Sequence, residues 1–274
     1  MKISPARFVT QYVLPPVLLF AVFLIAWQLY AGGIKFGGTV LWKGMPAYLV
    51  PKPLSVWNAA VEQHAKLATA TWLTATGALA GFAASIVVGA LIAFVFSQSA
   101  IIQRAAYPYA IFLQTVPIVA IAPLIILWFG SGFTAIAITA FVISLFPIIA
   151  NGTQGLTALD PQMVELFAIH RATRMQKLMK LRIPNSIPYF VTGMRTSSGL
   201  SVIGGIVGEF FAGYGTEKFG LGYLIYQTSG QQKMDLLFAA IIASTLLGLG
   251  IFALVGVASR LLLRRWVARS GDGL

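Results

Sequence analysis

"VELFAIHRATRMQKLMKLRIP", residues Val164–Pro184, places five Lys/Arg residues, one Glu and one His inside a chain that is otherwise apolar. The chain has 274 residues, 58% of them hydrophobic and 9% charged, and its mean hydropathy is +0.84. A soluble domain carries about 25% charged residues, so charges this sparse do not cover a globular surface. The composition is that of an integral membrane protein. Val164–Pro184 then lies outside the lipid, and what it faces decides the reading of the whole chain.

Working outward from it, six apolar segments are long enough to cross a bilayer: 13–31, 67–97, 107–129, 132–151, 186–213 and 234–263. A backbone in hydrocarbon must satisfy its own hydrogen bonds, and continuous apolar runs without period-two alternation exclude a barrel. The expected fold is all-α, with six transmembrane helices in one domain covering residues 1–274. Lys2 and Arg7 precede a first apolar run that is long enough to span and has no small-x-small cleavage site, so it is read as an uncleaved span. With the N-terminus inside, twelve of the nineteen Lys/Arg fall in the cytoplasm, six fall outside and Arg195 lies within a span. That bias puts both termini in the cytoplasm. The net charge of +12 sits at the ends of apolar runs, which excludes a nucleic-acid surface. Cysteine is absent, and His64 and His170 are far apart, so no thiolate or histidine metal cluster is expected.

The segment 152–184 between the fourth and fifth spans is too long for a turn. Asp160-Pro161 is a helix-start signal, and Thr173 with Gln176 three residues later is a capping box. Two short helices are expected, about 161–170 and 174–183, with Pro184 stopping the second. The first sets Met163, Leu166, Phe167 and His170 on one stripe with Glu165 beside it. The second sets Met175, Leu178, Met179 and Arg182 together, with Lys177 and Lys180 turned away. Such helices rest on anionic headgroups or dock to a cytoplasmic partner. A stripe edged by a glutamate suits a protein groove better. A further short helix is expected within Leu49–Leu67, at the outer surface.

Glu165, Ala168, Arg171-Ala172 and Leu181-Arg182-Ile183-Pro184 resemble the EAA loop of ATP-binding cassette importer permeases, whose pattern is E-x-A, a Gly, then I-x-L-P. Phe167 stands where Ala is usual. Arg171 stands where the Gly is usual, and costs little there only if the turn needs no positive φ. The likeness covers residues 49–266. It includes Pro117, Ala120, Pro123, Leu124, Trp128, Phe129 and Gly130, as well as "SVIGGIVGEFFAG" and "GLGYLI". It is similar to the nitrate/sulfonate/taurine branch, with a leaning toward members that handle pyrimidine precursors or other small heterocycles.

The resemblance implies a type I importer permease fold in a bacterial cytoplasmic (inner) membrane. It implies two cytoplasmic ATPase subunits, a second copy of the permease and an extracytoplasmic substrate-binding protein. Met163, Glu165, Leu166, Phe167, Ala168, Arg171 and Ala172 would then form the coupling contact. No G-x-x-x-x-G-K-[ST] loop occurs in the chain, so ATP and magnesium belong to the partners and no cofactor to this chain.

Arg195 and Glu209 are ionisable residues within the fifth span. They stand fourteen residues apart, about 21 Å along a helix, so they do not pair within it. Arg195 suits a snorkelling position near the cytoplasmic edge. Glu209 suits an outer-interface position, a pair with a neighbouring helix, or the pathway. Gln114, Thr115 and Ser144 are further pathway candidates. The G-x-x-x-G pairs Gly77/Gly81 and Gly204/Gly208 suit dimer contact and intramolecular packing equally. Gly220 and Gly222 read as a turn. The alternative function, an ion-gradient-driven secondary transporter, calls for inverted repeats and convergent carboxylates, and neither is found. A membrane-embedded enzyme calls for a nucleophile–base pair, also not found in the spans.

Overall fold

A computed structural model describes residues 14–36, 39–213 and 219–270. Lys2 and Arg7, used above for orientation, lie outside the described residues. The packing falls into two compact units, Met1–Leu67 with Ile225–Ile242, and Ala68–Leu224 with Ala243–Leu274.

In the first unit, helix α1 (Leu14–Gly32) runs into an antiparallel pair of short strands, β1 (Ile34–Phe36) and β2 (Thr39–Trp42), which the all-helical expectation did not include. The Trp42 indole closes the pair by donating to the Tyr30 carbonyl at 3.0 Å. Helix α2 (Pro53–Glu62) is the short outer helix expected within Leu49–Leu67, with Pro53 at its first turn. Trp27 fastens α1 here. Its indole donates to the Pro51 carbonyl at 3.1 Å, and its ring lies 5.8 Å from that of Phe238.

The second unit is built around one helix. Helix α3 (His64–Gln98) leads into α4 (Ala100–Thr115) and α5 (Ile118–Phe129), followed by α6 (Phe133–Thr157). After the loop come α9 (Ile183–Ala212), α10 (Leu221–Gly230) and α11 (Met234–Ser270), whose residues 225–230 and 234–242 belong to the first unit. Both glycine pairs close on α6. A Cβ at Gly77 would strike Ile136, and one at Gly81 would meet Ala137, Ala140 and Phe141. On α9, Gly204 abuts Thr139 and Ala140, and Gly208 abuts Ile136 and Thr139. The pairs therefore serve packing within the chain, with α3 and α9 both closing on α6 and meeting each other at Ala78 and Gly205. Apolar helices in lipid gain little from hydrophobic attraction, so close backbone approach of this kind drives their association.

The third expected span, 107–129, is not one straight helix. It is the end of α4 plus α5, bent by 96° at Val116–Pro117. The residue before a proline is disfavoured in the α region, and Val116 is accordingly extended, with φ −69° and ψ 124°. The tight turn to α6 uses Gly130 and Gly132, both at positive φ of 81° and 92°, where other residues are strained.

Among the described residues, α1, α3, α6 and Met234–Leu261 of α11 are long and apolar enough to cross a membrane, and the bent α4–α5 pair makes a fifth. Helix α9 has 30 residues but carries Arg195, Glu209 and many buried serines and glycines, so it is long without being strongly apolar.

The α6 grip predicts that Gly81→Ala lowers stability by about 1–3 kcal/mol, the usual cost of overpacking. Gly248→Ala, where nothing lies within 4 Å, should leave stability unchanged or raise it. Thermal unfolding of the purified chain in detergent checks both.

Candidate functional site

The loop between α6 and α9 forms as two capped elements. Asp160 Oδ1 accepts from the Gln162 amide at 2.9 Å and starts α7 (Pro161–Ile169). Thr173 Oγ1 accepts from the Gln176 amide at 3.2 Å while Gln176 Oε1 accepts from the Thr173 amide at 2.8 Å. This is the reciprocal capping box, and it starts α8 (Arg174–Lys177).

The second element does not end at Pro184. A π-turn, Leu178–Arg182, follows α8 and passes without interruption into α9, with the Ile183 amide donating to the Leu178 carbonyl five residues back. Proline lacks an N–H, and its ring clashes with the carbonyl four residues earlier. A π-turn widens the backbone just before the proline, and Pro184 then occupies the first turn of α9, where no amide is needed. Residues 174–212 are thus one continuous helical stretch.

The turn joining the two elements does need a positive φ. Arg171 has φ 49°, in the left-handed region that costs a non-glycine residue about 1–2 kcal/mol. The Arg171 amide donates to Ala168 O at 2.9 Å and the Ala172 amide to Phe167 O at 3.0 Å, which closes the end of α7. Neither α7 nor α8 buries any residue. Met163, Glu165, Leu166, Ala168 and Arg171 are exposed, and Phe167 and Ala172 are half-buried. Leu166, Phe167, His170, Ala172, Gln176 and Lys180 line a groove of about 270 Å³. Apolar side chains here stand out on both short helices, with Met163 40%, Leu166 45% and Met175 65% exposed.

The second polar feature lies near the other end of α9. Glu209 is 1% exposed. Its Oε2 accepts from the Thr74 hydroxyl at 2.9 Å and the Gly222 amide at 2.7 Å. Thr74 Oγ1 accepts from the Leu221 amide at 2.8 Å. The carboxylate of α9 and the hydroxyl of α3 therefore supply acceptors to the first free amides of α10, which a helix start leaves without partners. A negative group there also complements the helix dipole. Gly220 and Gly222 are required by space, since a Cβ at Gly220 would fall on the Glu209 carboxylate and one at Gly222 on the Ile206 carbonyl. What reads in sequence as a simple turn is the seat of a buried carboxylate. Glu209 pairs with neighbouring helices, one of the positions expected for it.

The other polar residues singled out are dispersed. Gln114 and Thr115 are exposed at the end of α4, immediately before the 96° bend, and the Thr115 hydroxyl donates back to Phe112 O at 2.9 Å. Ser144 is fully buried; its hydroxyl donates to Ala140 O at 2.6 Å, and its carbonyl accepts from Ser197 at 2.5 Å. Arg195 is half-buried and donates to the Gly256 carbonyl of α11 at 3.3 Å. Thr74 was not singled out, because a lone threonine in an apolar run carries no signal of its own.

Residues 85–268 match the family described as binding-protein-dependent transport system inner membrane component. The chain belongs to this family. The permease is 34% identical to the formylaminopyrimidine transport permease protein ThiX of Halalkalibacterium halodurans, over 91% of this chain and 95% of that one. It is 33% identical to the riboflavin transport system permease protein RibX of Chloroflexus aurantiacus, over 92% of this chain and 90% of that one. Its fold is similar to a solved inward-facing form of the MetNI methionine ABC transporter. That likeness has a TM-score of 0.57 at 16% identity and covers 72% of this chain and 97% of the other. The chain is thus a non-catalytic, multi-pass membrane permease subunit of an ATP-binding cassette importer, with the type I fold expected. An ATPase and a substrate-binding protein are its partners in kind, and the ion-gradient alternative has no support.

Two predictions follow from this geometry. Arg171→Gly should stabilise the loop by about 1 kcal/mol through relief of the left-handed residue, read as slower hydrogen exchange at the His170–Ala172 amides. Thr74→Val should destabilise by about 1–3 kcal/mol, since it leaves a buried amide and carboxylate oxygen short of a partner. Thr74→Ser should recover most of the loss in the same thermal assay.

Proposed function

We propose that two copies of this permease form one translocation pathway, each presenting α7 and α8 to a cytoplasmic ATPase subunit that binds ATP and magnesium. The observation that carries this reading is the loop itself: two capped helices with no buried residue, apolar stripes turned outward, and Glu165 beside them. An unburied apolar stripe on a short capped helix is a surface prepared for a groove. Met163, Leu166, Phe167 and Ala168 supply packing, and Glu165 the polar anchor. The left-handed Arg171 and Ala172 set the angle between the two helices. Both termini are cytoplasmic in this reading, and α1, α3, the α4–α5 pair, α6, α9 and α11 count as six spans.

The pathway is proposed to pass the break between α4 and α5, where Gln114 and Thr115 stand. Interrupted helices expose backbone groups that a polar solute can use. Glu209 then belongs to the outer end, as the seat of α10. The substrate is proposed to be a small heterocycle. That choice is supported by a formylaminopyrimidine permease and a riboflavin permease among the relatives, each matched over 90% or more of both chains.

Co-purification from native membranes in mild detergent tests the assembly. The expected result is a stoichiometric ATPase, recognised by its phosphate loop, that is weakened or lost with Glu165→Lys. Removing one partner of a buried charged contact costs roughly 2–5 kcal/mol, enough to release a subunit. A chain that purifies alone and still moves solute after reconstitution would overturn the reading. For the substrate, the cognate binding protein should be stabilised in thermal shift by formylaminopyrimidine or riboflavin and not by taurine or nitrate.

A further inference from the structure

We infer that Arg182 and Asn185 are the positioning residues that transmit displacement of the loop to the inner ends of α3 and α6. The inference rests on the docking role proposed above and adds the route by which a push on α8 reaches the spans.

The last four carbonyls of a helix have no partner within it. Helix α3 ends at Gln98, so the Ser97 carbonyl is one of these. It accepts from the Arg182 guanidinium at 2.8 Å, across 85 positions of sequence. A cation at a helix C-terminus also complements the dipole, and a charged donor makes the stronger kind of hydrogen bond. Helix α6 ends at Thr157, so the Gly155 carbonyl is likewise free of a helical partner. The Asn185 amide donates to it at 2.8 Å and to the Ala158 carbonyl at 3.0 Å. Asn185 thereby uses its carboxamide nitrogen to close the end of the central helix.

Contact at this second tie is close. A Cβ at Gly155 would strike the Ser186 backbone and Tyr189, and one at Gly152 would strike the Phe190 ring. The two tying residues lie three positions apart, on either side of Pro184, in the stretch where the π-turn joins α8 to α9 without a break. Had Pro184 ended a helix there, α8 would hang from a flexible joint. Instead α8, the π-turn and α9 form one lever, with side chains on its first turns fastened to the ends of two spans. Each fastening uses one residue, so each is removable by one substitution.

Spin-label distances test this, and the cysteine-free sequence leaves no background. Met175→Cys on α8 and Val95→Cys near the end of α3 form the pair, in the complex with its ATPase, without nucleotide and trapped with ATP and vanadate. The expected result is a separation that stays constant between the two states in the otherwise native chain. With Arg182→Met the separation should change on trapping while the ATPase remains bound, and Arg182→Lys should restore constancy. A change in the native chain exceeding one helical turn, about 5 Å, would overturn the inference, as would constancy with Arg182→Met. Where Arg182→Met fails to assemble, the milder Arg182→Gln takes its place, with the same change expected on trapping and constancy again overturning the inference. Absence of a co-purifying ATPase from the native chain would instead sink the docking role itself, and this inference with it.

Discussion

Backbone-to-backbone contact along α6 is the constraint on which the second unit depends. Gly77 and Gly81 of α3 and Gly204 and Gly208 of α9 all close on its Ile136–Phe141 stretch. None of the four positions has room for a Cβ. Because apolar side chains gain nothing by leaving lipid for each other, this closeness supplies dispersion contacts that longer side chains would prevent. Small buried polar groups lie along the same seam. The Ser197 hydroxyl reaches the Ser144 carbonyl, and the Thr139 hydroxyl bonds back within its own helix.

That seam determines what the loop can do. The loop leaves the C-terminus of α6 and returns as the N-terminus of α9, the two helices the seam locks together. A segment anchored at both ends to one rigid pair is a handle on that pair. Its own helices bury nothing and are held by caps: Asp160 at the first, Thr173 with Gln176 at the second. Capping is local and needs no tertiary partner, so the elements hold their shape while leaving their apolar stripes free for another protein. At the opposite end of α9, Glu209 and Thr74 do for α10 what the loop caps do for α7 and α8, here with long-range partners.

Much of this was legible in the sequence because it is written in short-range chemistry. Asp160-Pro161 and Thr173-x-x-Gln176 each state a helix start within four residues, and both form. The apolar runs declare the membrane class. Three features were missed for identifiable reasons. The break at Val116–Pro117 was hidden by uninterrupted hydrophobicity, which reports solvent and is silent on direction. Pro184 reads as a stop signal, yet a π-turn accommodates it. The long-range ties that flank it, Arg182 to Ser97 and Asn185 to Gly155, are announced by no local pattern. The Glu209 cap joins residues 74, 209, 221 and 222, and separations of that kind are invisible to periodicity. Arg171 is the instructive case: the turn keeps the positive φ that glycine would favour, and the chain accepts the strain.

The central claim is that the exposed stripe of α7 meets a protein rather than the lipid surface. Site-specific photo-crosslinking from Leu166 in native membranes tests it most directly, since that side chain lies in the middle of the stripe and in the groove between the two short helices. The account predicts a crosslink to a cytoplasmic ATPase carrying a phosphate-binding loop, and little transfer to phospholipid. Transfer to phospholipid alone, with no protein adduct, would contradict it and leave α7 and α8 as helices resting on the membrane.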